Sequence, residues 1–199
     1  MKTSRDVYDE FADRYESVMG PFERWFLTRL RQRTIDYLPR SGRILELGSG
    51  TGSNFVLYHE GVSVTAIEPS SEMIKLAAGK QRSVGLQLVQ GRAEQLPFRD
   101  STFDAAVSTL VMCSVDSVES ALLELRRTVK PGGTIVLLDH VRPDGVLGPL
   151  FDMLNAVTRR FFADHFNRRT AVAARAAGLD VTTREQHLRG IINLLVCRV

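Results

Sequence analysis

The spacing of apolar residues changes period along the chain. Tyr8, Phe11, Tyr15, Val18, Phe22, Trp25 and Leu30 recur at helical spacing, and Gly20-Pro21 interrupts them, which predicts two N-terminal helices meeting at that break. From residue 43 the pattern turns into short apolar runs bounded by Gly, Pro, Ser or Asp, at 43–47, 62–67, 86–90, 103–108 and 134–138. Such runs read as strands of a buried parallel sheet. Helical patterns at 52–59, 70–82 and 115–129 separate them, so strand and helix alternate as in right-handed crossover units. A longer helical stretch follows at 146–162, then a helix over 167–177 ended by Gly178, then two strands at 179–187 and 191–198. The class expected is doubly wound α/β with seven strands.

Composition narrows the picture further. With 199 residues, 44% hydrophobic and 25% charged, the chain is expected to form one domain, 1–199, around one sizeable core. No apolar run reaches the roughly 18 residues of a membrane span, and the first residues lack a signal-peptide core, so a cytoplasmic location is expected. Cys113 and Cys197 stand far apart without a Cys/His cluster, so neither a disulfide framework nor a metal site is expected. The net charge is +3, with much of the surplus in Arg159, Arg160, Arg168, Arg169 and Arg175. That surplus suits an anionic partner or a solvated basic face.

The first strand ends in Glu46-Leu47-Gly48-Ser49-Gly50-Thr51-Gly52, whose glycines allow a sharp turn and a close approach to a nucleotide-like ligand. A structural tight turn would use the same residues. Glu68 ends the second strand about twenty residues on, where a carboxylate can accept both hydroxyls of an adenosine ribose. The dinucleotide fingerprint G-x-G-x-x-G would require a small residue at Ser53 and a pyrophosphate at the helix start, whereas the third glycine here is Gly52. Glu46 would repel a pyrophosphate but suits the ammonium end of methionine, directly or through water. S-adenosylmethionine, which carries no phosphate, fits better.

The segments ILELGSGTGSN, AIEPSSEMIKLA, GRAEQLPF, FDAAVSTLVMCSV and LRRTVKPGGTIVLLDHV resemble successive motifs of the ubiquinone/menaquinone methyltransferase-like family of class I methyltransferases, over residues 5–145. The resemblance implies a Rossmann-like sheet, mostly parallel with an antiparallel last strand, and S-adenosylmethionine as cofactor. It divides the chain into an N-terminal helical lid (1–40), a cofactor-binding core (41–141), and inserted helices with the last two strands (142–199). It places Gly48, Ser49, Gly50 and Gly52 along the methionine moiety and Glu68 on the ribose. Pro69 and Met73 would flank the adenine, with the Ala93 backbone near its Watson–Crick edge. Where the family usually has aspartate this chain has Arg92, which leaves Glu94 as the nearest acceptor for the adenine amino group.

On the acceptor side, Thr109 and Leu110 should pass close to the reactive methyl, since ligands of open sheets sit beyond the strand carboxyl ends. Cys113 reads either as part of that pocket or as a small buried hydrophobe. His140, beside Asp139, is the candidate general base, against a purely structural histidine. Tyr15 is the lid residue expected to reach the cofactor, against core packing. The helical stretch from Leu147 to Phe166 is amphipathic with arginines near its end, and reads as a membrane-contacting helix or a packed cap.

The absence of a D/N-P-P-Y/F motif argues against nucleic-acid amines as acceptors. The runs GSNFVLYHEGVSVTAIEP and TLVMCSV, with HV at 140 and NRRT at 167, are most similar to membrane-associated thiol S-methyltransferases and bacterial phospholipid N-methyltransferases. The acceptor expected is therefore small and lipophilic, foremost a phospholipid amine such as phosphatidylethanolamine, with thiol S-methylation or quinone C-methylation as alternatives. The protein would touch the inner face of an anionic membrane peripherally. A noncatalytic S-adenosylmethionine sensor is the alternative of another class.

Overall fold

The computed structural model describes Asp9 and residues 27–80, 85–140 and 169–199. Seven strands, β1 (Gly42–Leu47), β2 (Val62–Glu68), β3 (Gly85–Gln90), β4 (Phe103–Thr109), β5 (Val129–His140), β6 (Asp180–His187) and β7 (Ile192–Arg198), form one sheet in the order β3-β2-β1-β4-β5-β7-β6. The pairings β1–β2, β1–β4, β2–β3 and β4–β5 are parallel. β7 runs antiparallel to both β5 and β6, so the last strand of the chain is the reversed one, as expected.

Alternation along the central strands divides the apolar side chains between two faces. Ile44, Val136 and Leu138 join one core with Leu27, Leu30, Phe55 and Tyr58. Leu45, Leu47, Ile135 and Leu137 join the other with Leu122, Leu125 and Ala174. The helix α1 (Thr28–Asp36) packs against β4 and β5 on the first side. On the second side α3 (Val118–Thr128) and α4 (Thr170–Ala176) pack against each other. The helix α2 (Ser71–Ala78) joins β2 to β3.

One expected helix starts later than its apolar pattern suggested, for a capping reason. Ser117 accepts the amide of Ser120, so α3 begins at Val118 rather than 115. Ser70 accepts the amide of Met73 and opens α2 in the same way.

The helix expected at 52–59 is corrected: residues 50–57 are successive turns. Their bonds run from Gly52 N to Ser49 O, Phe55 N to Gly52 O and Leu57 N to Asn54 O. Gly52 has φ +81°, outside the helical region, and a Cβ there would lie 2.4 Å from the Phe55 ring. β5 also begins five residues before its apolar run, because Val129 pairs with Phe103 ahead of a register shift.

The lid proper (residues 1–26 apart from Asp9), and the 146–162 helix with Arg159, Arg160 and Arg168, lie outside the described residues. Asp9 itself accepts a bond from Ser70 Oγ at 2.5 Å.

Leu125 is fully buried where α3 meets the sheet. Leu125→Ala should lower unfolding free energy by about 3 kcal/mol, read as a reduced midpoint in urea at unchanged slope.

Candidate functional site

Strand order reverses at β1: β2 and β3 lie on one side of it, β4 and β5 on the other. Loops leaving the C-terminal ends of β1 and β4 therefore part, and a crevice opens between them. A cavity of about 610 Å³ lies there, a size suited to a small-molecule ligand.

The loop after β1 forms one wall. Gly48 N and Ser49 N both donate to Ile67 O, at 2.9 and 3.2 Å, which carries the backbone across the end of β2. Gly48 has φ +66°, and a Cβ there would lie 2.4 Å from Val111 Cγ2, so the turn and the close approach of the β4 loop both need a glycine. Across the crevice Leu110 also takes a positive φ, +61°, with its amide donating to Leu138 O at 2.7 Å.

Glu68 is buried on the cavity wall. One carboxylate oxygen accepts from Gly50 N and the other from Ser70 N, both at 3.0 Å. Burial raises its pKa, and the two amide bonds counter that rise. Ser49 Oγ, buried on the same wall, has no hydrogen-bond partner among the described residues. A buried hydroxyl in that condition is a ready donor or acceptor for a ligand.

Glu46 sits behind this wall rather than on it. Its carboxylate accepts from Asn54 Nδ2 and from Tyr58 Oη, both at 2.9 Å. Asn54 also donates to Thr109 Oγ1 at 3.0 Å and accepts from Arg31 Nη1 at 3.1 Å. Burial pushes the Glu46 carboxyl up to about 7, against the lowering effect of the Tyr58 and Asn54 bonds and of the Arg31 charge. Arg31 itself reaches the cavity wall from α1.

Of the residues expected at the site, Gly48, Ser49, Gly50, Glu68, Pro69, Met73, Ala93, Glu94, Thr109 and Leu110 line this cavity together. Glu46 and Gly52 do not: both Glu46 oxygens face Asn54 and Tyr58, and Gly52 packs its Cα side against Phe55. His140 is half-buried at the end of β5, away from the cavity wall, and burial lowers its pKa. Cys113 is buried, with its thiol near Leu110 O. Tyr15 lies outside the described residues. Sequence reasoning missed Arg31, Asn54, Tyr58 and Asp116. A basic residue on an otherwise apolar helix face was the available signal for Arg31.

Comparison with known proteins agrees with this geometry. Residues 45–137 match the family model described as a methyltransferase domain. Those residues carry a methyltransferase domain. Among its relatives, the phosphatidylethanolamine N-methyltransferase of Cereibacter sphaeroides is 37% identical over 134 residues, 65% of each chain. A demethylmenaquinone methyltransferase of Renibacterium salmoninarum is 32% identical over 69% of this chain and 58% of its own. The thiol S-methyltransferase TMT1B of Rattus norvegicus is 33% identical over 64% and 55%. The match thus spans somewhat under two thirds of these relatives' lengths. A solved S-adenosylmethionine-dependent methyltransferase from Thermotoga maritima shares the fold, with TM-score 0.71, 24% identity, and 97% and 98% of the two chains covered.

Family and fold imply S-adenosylmethionine as the methyltransferase domain's cofactor. The residues present fit it: a buried carboxylate and an unsatisfied serine hydroxyl line one cavity of suitable size beside the glycine loop.

Two outcomes follow. Gly48→Ala should destabilise the fold by about 1 to 3 kcal/mol, and adding Val111→Ala should recover the steric part but not the backbone part, in urea titrations of the three variants. For Glu46, the folded pKa of about 7 exceeds the ordinary value of 4.5. The native state therefore holds the extra proton between these values, and stability falls as pH rises through that window. Glu46→Gln should flatten this fall, seen as near-equal unfolding free energies at pH 5 and pH 7.5.

Proposed function

We propose that the protein is an enzyme that transfers the methyl group of S-adenosylmethionine to a small lipophilic acceptor, foremost the amine headgroup of a phospholipid such as phosphatidylethanolamine. The observation that carries the cofactor half is Glu68, a buried carboxylate at the tip of β2 held by the glycine-loop amide Gly50 N on the cavity wall. In that position it accepts the ribose hydroxyls. Gly48, Ser49 and Gly50 run along the methionine moiety, with Ser49 Oγ finding its missing partner there. Arg31 suits the carboxylate end of that moiety, and Asn54 ties it to Glu46 behind the wall. Pro69 and Met73 flank the base.

Bound S-adenosylmethionine supplies a methyl group on a sulfonium, open to in-line displacement. The chain's own residues orient and dry the site. Thr109 and Leu110, at the end of β4, wall the side from which an acceptor approaches. An ammonium acceptor must lose a proton before its nitrogen attacks. We assign that proton to His140, at the end of β5 beyond the described cavity wall, where burial disfavours the charged imidazolium. Tyr15 is assigned to the covering lid.

The acceptor reading draws support from the likeness to the Cereibacter phosphatidylethanolamine N-methyltransferase. It also draws on the apolar spacing of the two segments at 8–30 and 147–166, with arginines beside the second. Among the described residues no helix is long and apolar enough to cross a membrane, and the contact proposed is peripheral, at an anionic surface. The thiol S-methyltransferase and demethylmenaquinone methyltransferase relatives favour a thiol or a quinone as second readings.

Glu68→Ala should weaken S-adenosylmethionine binding by about 1.5 to 3 kcal/mol in calorimetry, through loss of charge-assisted hydrogen bonds. With labelled S-adenosylmethionine, phosphatidylethanolamine vesicles should become methylated and should co-sediment with the protein less at high salt. Turnover of an alkyl thiol or a demethylated quinone alone moves the assignment to that acceptor. Tight cofactor binding without any transfer would instead describe a sensor. Transfer only to a polar, soluble acceptor, with no vesicle binding at any salt concentration, rejects the lipophilic reading.

A further inference from the structure

The cavity continues past Glu68 to the end of β3, where Gly91, Arg92, Ala93 and Glu94 form its floor, and there the loop after β4 meets it. β3 lies two strands from β1, on the far side of β2. A ligand whose amino-acid end follows the glycine loop and whose ribose meets Glu68 therefore presents its base to this end. Three acidic side chains line the cavity: Glu68, Glu94 and Asp116.

Their hydrogen bonds distinguish them. Glu68 is used at the middle, as above. Glu94 Oε1 accepts from Asp116 N at 2.8 Å and Ser117 N at 3.4 Å, and its other oxygen lies 3.6 Å from Arg92 Nε. Its carboxylate thus ties the two loops together, with its side chain only 17% exposed. Asp116 differs. Among the described residues its carboxylate has one side-chain partner, Arg92 Nη2, which takes a single oxygen, Oδ2. The pair is more than half exposed, at 56% and 57%. So exposed an ion pair contributes little to folding, so the carboxylate is held in place at the cavity rim without being needed by the fold.

We propose that Asp116, positioned by Arg92, is the acceptor for the exocyclic amino group of the cofactor's base and sets its preference for adenine. This rests on the S-adenosylmethionine reading of the cavity. The free oxygen Oδ1 is an acceptor only, which matches an amino group and opposes the oxo group that replaces it in hypoxanthine. A site built on one acceptor rejects the analogue that lacks the donor, because the carboxylate is then left facing another acceptor. Arg92 contributes by fixing the direction of the carboxylate and supplies no acceptor itself.

The test compares S-adenosylhomocysteine with its 6-oxo analogue S-inosylhomocysteine by calorimetry, with no turnover needed. The wild-type chain should bind the adenosyl compound more tightly by roughly tenfold or more, the scale of one charge-assisted hydrogen bond. Asp116→Ala should bring the two affinities to within about a factor of three, chiefly by weakening the adenosyl compound. Asp116→Asn, which can present a donor or an acceptor, should close the gap by strengthening the inosyl compound instead. Arg92→Met should narrow the ratio while leaving inosyl affinity unchanged, an effect that a merely structural residue would not produce. Unfolding midpoints of all three variants should match the wild type, as the exposure of the pair requires. An unaltered preference in Asp116→Ala and Asp116→Asn overturns the proposal while leaving the cofactor reading intact. Failure of the wild-type chain to bind S-adenosylhomocysteine at all overturns that reading, and this proposal with it.

Discussion

The exit of β1 governs the site. Gly48 N and Ser49 N converge on Ile67 O, and this shared carbonyl turns the chain over the end of β2 instead of letting it continue the strand. From that turn follows the position of Gly50, whose amide reaches Glu68, and the gap into which Val111 of the β4 loop fits. The sheet order, with neighbours added outward on both sides of β1, provides the crevice. The turn decides which backbone groups point into it.

Charge is distributed around this turn in layers. Glu68 meets the cavity directly and is satisfied by backbone amides, which counter part of the rise that burial imposes on its pKa. Glu46 lies one layer deeper and is satisfied by neutral side-chain donors, Asn54 and Tyr58, and burial carries its pKa up to about 7. Asn54 is the joint between the layers, since its one amide group connects Arg31, Glu46 and Thr109. A guanidinium at the wall and a carboxylate behind it are thereby held at fixed separation by a neutral residue.

The central strands were legible in the sequence because the runs at 43–47, 62–67 and 103–108 are short, mostly apolar and bounded by turn-forming residues. The residues facing the cavity at the glycine loop and β2 were legible for a different reason: Gly48, Gly50 and Glu68 stand in local motifs whose spacing mirrors a strand and its turn. The stretch at 52–59 misled, since Phe55 and Tyr58 have helical spacing while Gly52 bends the backbone out of the helical region. Asn54, Tyr58 and Asp116 could not be read locally, and for Arg31 the local signal was only its charge on a buried helix face. Each takes its role from a partner far along the chain, as Arg31 does from Asn54, 23 positions away, and Asp116 from Arg92, 24 positions away.

Leu110 carries a consequence for how this fold could change. A leucine with φ +61° is held there against a backbone preference of roughly 1 to 2 kcal/mol, by the bond from its amide to Leu138 O and by the β4–β5 ladder beneath it. The cavity wall is thus a loaded spring, and the sheet is the frame that keeps it bent. Mutational drift toward greater stability has an easy route at this position, by relaxing the loop, and that route deforms the surface facing the ligand. Selection for a durable protein and selection for a well-shaped site pull on this one residue in opposite directions.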